Sequence, residues 1–297
     1  MSRLTIGYFA DGPWSHQALE KLFADSSIRI AFICARFDRP DPVLAARARA
    51  EGIDFLTHPN INADDFVATV ARYACDLLVS MSFNQIFRCR LIELTPMQLI
   101  NCHAGKLPFY RGRNILNWAL INDDAEFGIT VHYVDEGIDT GDIIAQRTFP
   151  ITDADSYATL LERAYPGCAE LLYDTVKQLQ AGRAVRRPQS TIHPLGFYCT
   201  GRREGDERLS WNQPSRDVFN FVRAVCRPGP EARTLRDEVE LRINRVEFLP
   251  KAPVYKGIHG AVLRVDPDGF LVKTADSFVR VIDWSGAERM RVGDRLI

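Results

Sequence analysis

Asn101, His103 and Asp139 place an amide, an imidazole and a carboxylate in one segment dense in glycine and polar side chains, NCHAGKLPFYRGRNILNWALINDDAEFGITVHYVDEGIDTGD. An amide N–H can donate to an oxygen that gathers negative charge. An imidazole can donate there too, or carry a proton, and a carboxylate can orient and charge-balance the imidazole. Together, three such groups can steer an acyl transfer. Singly, each has a bland reading: a histidine at a strand end is usually a structural hydrogen bonder, and Asn and Asp-Thr-Gly are ordinary turn residues. Cys102 sits between the first two. Strand alternation turns it away from them, which makes it a buried, inert thiol.

The elements that must hold these residues follow from the pattern of the first half. Strand-like runs at Leu4–Phe9, Ile28–Cys34, Ile53–Leu56, Asp76–Ser80 and Gln98–Cys102 alternate with helix-like stretches at Trp14–Phe23, Pro42–Glu51 and Ala63–Tyr73. Such alternation predicts βαβ units and a Rossmann-like, mainly parallel α/β sheet. Ligands of such sheets bind beyond the carboxyl ends of the strands, where Ser80–Ser82 and Asn101–His103 fall. Asn114–Ile121 reads as a short helix, and Gly128–Val134 and Ile143–Phe149 as strands joined by the Asp/Gly-rich loop Asp135–Asp142. Ser156–Leu179 reads as a long helix behind capping candidates. A linker rich in Gly, Arg and Pro, Ala181–Glu207, divides a catalytic domain, 1–200, from a β-rich domain, 201–297. The short strands of the latter predict a small OB-like barrel or a sandwich.

Composition narrows the classes. The 297 residues carry 37 Lys+Arg against 38 Asp+Glu, a balance that argues against general affinity for nucleic acid or anionic membrane. No apolar run reaches the length of a bilayer span, and the N-terminal apolar stretch turns polar too soon for a signal peptide. A cytoplasmic location is the simplest expectation. Seven cysteines scattered without a C-x-x-C pair read as free thiols, with neither a disulfide framework nor a metal site.

The Asn101-x-His103 pair, the run Gly128-x-Thr130-x-His132 and the sequence Asp139-x-Gly141 together resemble the active-site region of the N10-formyltetrahydrofolate-dependent formyltransferases. The resemblance implies that the chain transfers a formyl group to an amine with N10-formyltetrahydrofolate as co-substrate. Asn101 would then be an oxyanion donor, His103 a second donor or the base, and Asp139 the partner of His103. It also implies folate contacts along two segments, Ser82, Phe83, Asn84, Gln85 and Ile86 in one, and Asp135, Gly137, Ile138 and Asp142 in the other. Phe83 and Ile86 read equally well as core.

The acceptor is read from the residues between. Lys106, Arg111 and Arg113 form a basic group expected to bind phosphate. Trp14 is open to two roles, stacking on a base or sugar or anchoring the core, and Ser15 can open a helix toward phosphate. The run HAGKLPFYRGRNILNW resembles the nucleotide-sugar N-formyltransferases, which implies a nucleotide-linked amino sugar of the kind that enters O-antigen and no nucleic-acid partner. Methionyl-tRNA formyltransferase is the alternative, because Arg202–Asp206 and Leu209–Trp211 resemble the start of its C-terminal domain. From Asp206 to the end, about 16 Lys/Arg face about 14 Asp/Glu, too small an excess to require a tRNA-binding face. A non-catalytic folate-binding module or a formyl-folate hydrolase would share much of this sequence. The C-terminal part is open to partner binding, a homodimer interface, or a capping role.

Overall fold

The computed structural model describes residues 3–286 and 289–297. Among the described residues, fourteen strands and seven α-helices follow in chain order: β1 (Leu4–Ala10), α1 (Pro13–Ala24), β2 (Ile28–Ala35), α2 (Pro42–Glu51), β3 (Asp54–Thr57), α3 (Asp64–Ala71), β4 (Leu77–Met81), α4 (Cys89–Ile92), β5 (Leu99–His103), β6 (Arg111–Gly112), α5 (Ile115–Ile121), β7 (Glu126–Tyr133), β8 (Ile143–Pro150), α6 (Tyr157–Gln180), β9 (Tyr198–Cys199), α7 (Ser215–Val225), β10 (Ala232–Arg236), β11 (Val239–Glu247), β12 (Val262–Asp266), β13 (Gly269–Lys273) and β14 (Phe278–Ser285). Two compact units emerge. The first comprises Met1–Gly112, Phe127–Phe149 and Glu162–Cys199, and the second comprises Arg113–Glu126, Pro150–Leu161 and Thr200–Ile297. The units are therefore interleaved along the chain, and two short stretches from its first half group with the C-terminal residues.

The first unit is built on a seven-stranded sheet in the order β3-β2-β1-β4-β5-β7-β8. The strands β1 to β5 run parallel, and β7 pairs antiparallel with β5. The order reverses between β1 and β4, the kind of switch point at which a crevice opens past the strand ends. Nearly continuous apolar strands such as IRIAFICA and LLVSM are buried along their lengths, as a sheet covered on both faces requires. A core of Phe9, Phe32, Phe66, Leu78, Phe87 and Leu99 fills one side. Asp41 starts α2 by accepting Val43 N–H and Leu44 N–H, and Gly52 ends it in the left-handed region.

The second unit holds a five-stranded antiparallel sheet in the order β10-β11-β14-β13-β12. Its core packs Trp211, Val218, Val222, Leu241, Phe270 and Val281 together. Helix α7 presents Val218, Phe219, Val222 and Val225 on one face, and Asn117 of α5 donates to Ala224 O at 2.5 Å. Among the described residues, no helix is long and apolar enough to cross a membrane.

Candidate active site

Strand β5 is short and apolar at its start, and it carries Asn101 and His103 to its carboxyl end. On the neighbouring β7, His132 stands opposite Asn101 and Thr130 opposite His103. Alternation puts Asn101 and His103 on one face and sends Cys102 to the other, where its Sγ lies 3.7 Å from Cys168 O. A hydrogen bond with Cys102, together with burial, pushes the Cys168 thiol well up. These thiols are structural.

The cross-strand pair brings Asn101 Nδ2 to 3.3 Å from His132 Nε2. His132 Nδ1 donates to Tyr133 O at 2.7 Å, so in the neutral ring Nε2 is the acceptor and the Asn101 amide turns its NH2 toward it. His103 is fixed the same way: its Nε2 donates to Tyr110 O at 2.7 Å, which leaves Nδ1 facing Asp139 Oδ2 at 3.6 Å. Asp139 Oδ1 lies 3.5 Å from His132 Nε2, and Oδ2 accepts Gly112 N–H at 2.9 Å. Burial raises the Asp139 carboxyl, but its contacts with His103, His132 and the Gly112 N–H outweigh burial and hold it well below the usual carboxylate range. Asn101, His103 and Asp139 are thus brought together, and His132 joins them.

Backbone geometry around the four is tightly specified. Tyr110 takes φ +58 and Asp139 φ +54, an uncommon conformation for non-glycine residues that aims the Tyr110 carbonyl at His103. Gly105 lies so close that a Cβ there would sit 2.4 Å from His103 Nε2 and 2.5 Å from Tyr110 O. Thr130 donates to Gly105 O, and Gln146 donates to Thr130 Oγ1 and Leu107 O. The buried Gln189 donates to both Asp139 O and Gly141 O at 2.8 Å, which pins the loop that carries the carboxylate.

A cavity of about 360 Å³ opens beside that loop, lined by Cys89, Ile92, Glu93, Tyr133, Asp135 and Asp142 among others. Asp135 and Asp142, two of the residues expected at a folate, line this cavity, and Gly137 and Ile138 sit on the same loop. The stretch Ser82–Ile86 is not part of this wall. Phe83 packs edge-on against Phe9, Asn84 reaches Asp38, and Gln85 accepts Ile61 N–H and donates to His58 O. Ser82 takes φ +58, and Ile86 O accepts from Asn62. The turn after β4 is thus a strut between loops, and the next turn of chain, α4, supplies the wall. Arg186 completes it, its guanidinium 3.7 Å over the Tyr133 ring. Neither was legible in sequence: α4 has four residues, too few for a period, and Arg186 lies in the stretch read as a linker.

The expected basic group is dispersed. Arg111 is turned inward and buried, with Nε and Nη2 donating to Gln189 Oε1 at 3.0 and 2.7 Å and Nη1 to Leu195 O at 3.1 Å. With its fork occupied it is a structural pin, not a phosphate ligand. Lys106 is half-buried over Gly128, where a Cβ would meet the Lys106 Cβ at 2.6 Å. Arg113 is exposed and belongs to the second unit. Ser15 is fully buried and its hydroxyl donates back to Gly12 O at 2.8 Å, so it cannot greet a phosphate at the start of α1. Trp14 is half-buried, edge-on to Tyr165 at 4.7 Å.

Comparison with known proteins adds to this geometry. The formyl transferase description matches residues 27–175, and the formyl transferase C-terminal domain matches residues 203–294. A methionyl-tRNA formyltransferase of Halothermothrix orenii is 32% identical, over 97% of this chain and 94% of that protein. One of Desulforamulus reducens is 29% identical, over 93% and 89%. Among solved structures, WlaRD, a sugar 3N-formyl transferase, aligns with TM-score 0.71 at 18% identity, over 98% of this chain and all of that one. The N-formyltransferase of Helicobacter canadensis aligns with TM-score 0.66 at 18% identity, over 96% of this chain and all of its own. The structural likeness extends through both units, and a family description covering half the sequence is joined by a relative above 30% identity along nearly all of it: the chain belongs to the formyl transferase family.

Proposed function

We propose that this enzyme moves the formyl group of N10-formyltetrahydrofolate to the amine of a nucleotide-linked amino sugar. The co-substrate suits the cavity beside Asp135 and Asp142, whose volume lies within the range of small-molecule sites. The carboxylates of Glu93, Asp135, Glu136 and Asp142 at its wall suit a heterocycle rich in N–H donors.

The chemistry follows from the four polar residues. The acceptor amine attacks the formyl carbon, and charge gathers on the formyl oxygen. One Asn101 N–H is spent on His132, and the other is available to that oxygen. His103 Nε2 is engaged by Tyr110 O, so Nδ1 is the nitrogen that receives the amine's proton, where Asp139 balances the charge. Collapse breaks the bond between the formyl carbon and N10, and N10 leaves with the proton that His103 Nδ1 took from the amine, which returns the imidazole to its starting state.

The observation that carries the acceptor is electrostatic. In the second unit Arg216, Arg227, Arg233, Arg236, Arg242 and Arg280 each sit in an ion pair with Asp or Glu, and Lys273 is fully buried. Binding a tRNA backbone draws on unpaired cations, and this unit spends many of its cations internally. The run from Lys106 to Trp118 supports the same reading. The second reading, formylation of methionyl-tRNA, is favoured by the curated relatives at about 30% identity over most of the chain.

The test is purified enzyme with N10-formyltetrahydrofolate and, in separate reactions, a panel of UDP- and dTDP-linked amino sugars or methionyl initiator tRNA. Formylation of a nucleotide sugar and none of tRNA is expected. Formylation of tRNA alone would overturn the acceptor while leaving formyl transfer intact.

A further inference from the structure

Three exposed side chains, mostly apolar, lie on the segment that pairs with β6, whose Gly112 N–H reaches the Asp139 carboxylate. Leu195 is 76% exposed, Phe197 40% and Tyr198 54%, yet the segment that bears them is fastened. Tyr198 and Cys199 form β9 and pair parallel with Arg111 and Gly112 of β6. Phe197 N–H donates to Pro108 O and Arg111 N–H to Phe197 O. At Gly196, φ +63, a Cβ would meet Pro108 O at 2.2 Å, so the two segments lie in contact. Buried Arg111 joins them from behind: it donates to Leu195 O, and its guanidinium lies 5.2 Å from the Tyr198 ring. Through Gln189 the same arginine is tied to the carbonyls of Asp139 and Gly141.

Exposed aromatic rings held this firmly, on a strand whose neighbour Gly112 donates to Asp139, call for an occupant. Phe197 is also braced by Tyr110 at 4.7 Å and Phe109 at 5.5 Å, which fixes one of its sides and leaves the rest open. The patch is small. Two partly exposed rings of roughly 150–250 Å² each fall well short of the ~800 Å² that each partner buries in a stable protein interface. They match one planar ring. The register partner of Tyr198 is one residue from Tyr110, whose carbonyl holds His103, so the platform starts about 10 Å from the reacting centre by strand and residue spacings. Neither ring is among the residues that line the cavity at Asp135 and Asp142.

We propose that Phe197 and Tyr198 form the stacking platform for the nucleobase of the acceptor; this rests on the nucleotide-sugar reading above. Stacking on an open π-face tolerates any base, so these residues set the requirement for a nucleotide while the sugar is selected elsewhere.

The test measures binding of UDP and dTDP by calorimetry, with no folate or sugar present, to wild type, Phe197→Ala, Tyr198→Ala and the conservative Tyr198→Phe. Each alanine variant is expected to weaken nucleotide binding about 10- to 100-fold, with Tyr198→Phe near wild type and far-UV circular dichroism unchanged. In turnover, KM for the nucleotide-sugar acceptor should rise by a similar factor while KM for N10-formyltetrahydrofolate stays put. Wild type that binds neither nucleotide, or alanine variants that bind them as well as wild type, would overturn the platform. If wild type formylates a nucleotide sugar and the alanine variants keep its KM, the platform fails and the acceptor reading stands. If wild type binds nucleotides through these rings but formylates only tRNA, the acceptor reading fails, and with it the assignment of the platform to a nucleotide sugar, while the stacking itself is upheld.

Discussion

His132 stands opposite Asn101 across β5 and β7, and its Nε2 takes one N–H of the Asn101 amide at 3.3 Å. The backbone carbonyl of Tyr133 fixes the ring from the other side. The amide is thereby held with its second N–H free, the arrangement an oxyanion donor needs before substrate arrives.

Replacing Asn101 by Ala removes that donor and should lower kcat roughly 100- to 1000-fold, with KM for the folate little changed. Steady-state kinetics on variant protein of unchanged melting temperature decides it. Turnover within a few-fold of wild type would remove Asn101 from the chemistry.

His132→Ala leaves Asn101 in place but unheld, so a smaller loss is expected, about tenfold in kcat. The double variant Asn101→Ala/His132→Ala should be no worse than Asn101→Ala alone, because the two act through one donor. Independent, multiplying losses would show that His132 acts by itself.

Gly105→Ala puts a methyl group where His103 Nε2 and Tyr110 O already are. The imidazole must give way, so activity should fall at least about tenfold while the sheet survives. A crystal structure of the variant should show His103 displaced from Tyr110 O.

Asp139 is ionised in the folded protein at pH values where an unfolded carboxyl near 4 would already be protonated. A depressed folded pKa contributes stability that is present above about pH 4 and lost as pH falls toward the folded value. Denaturant unfolding between pH 5 and 2.5 should therefore show a shallower loss of stability for Asp139→Asn than for wild type. Parallel profiles for the two proteins would contradict the assignment.

Gln189→Ala deletes both donors to the Asp139 loop and the acceptor of Arg111. Leaving that guanidinium with unmet donors in a buried site should cost about 1–3 kcal/mol. Urea denaturation reads the loss, and a change below ~0.5 kcal/mol would mean that the network is dispensable.

Much of the frame could be read along the chain. Runs such as IRIAFICA and LLVSM announce buried strands because a covered parallel sheet needs apolar residues on both faces, and Asp41 and Gly52 announce the ends of α2. Short elements escaped: β6 and α4 have two and four residues, too few to express a period, and β10, ARTLR, reads as polar because only part of it faces the core. The interleaving of the two units escaped as well, since Arg113–Glu126 and Pro150–Leu161 carry no composition that marks them as belonging with residues past 200.

The sequence by itself determined the family, because the Asn101-x-His103, Gly128-x-Thr130-x-His132 and Asp139-x-Gly141 patterns resemble the formyltransferases in order and spacing, and alternation puts Asn101 and His103 on the same face. Arginine was another matter. Arg111 and Arg113 look alike in sequence, and only the tertiary structure decided that the first is buried against Gln189 while the second is exposed. Local pattern fixes which side of an element a residue takes. Which partners close over a long charged side chain depends on segments far along the chain, and only folding brings those together.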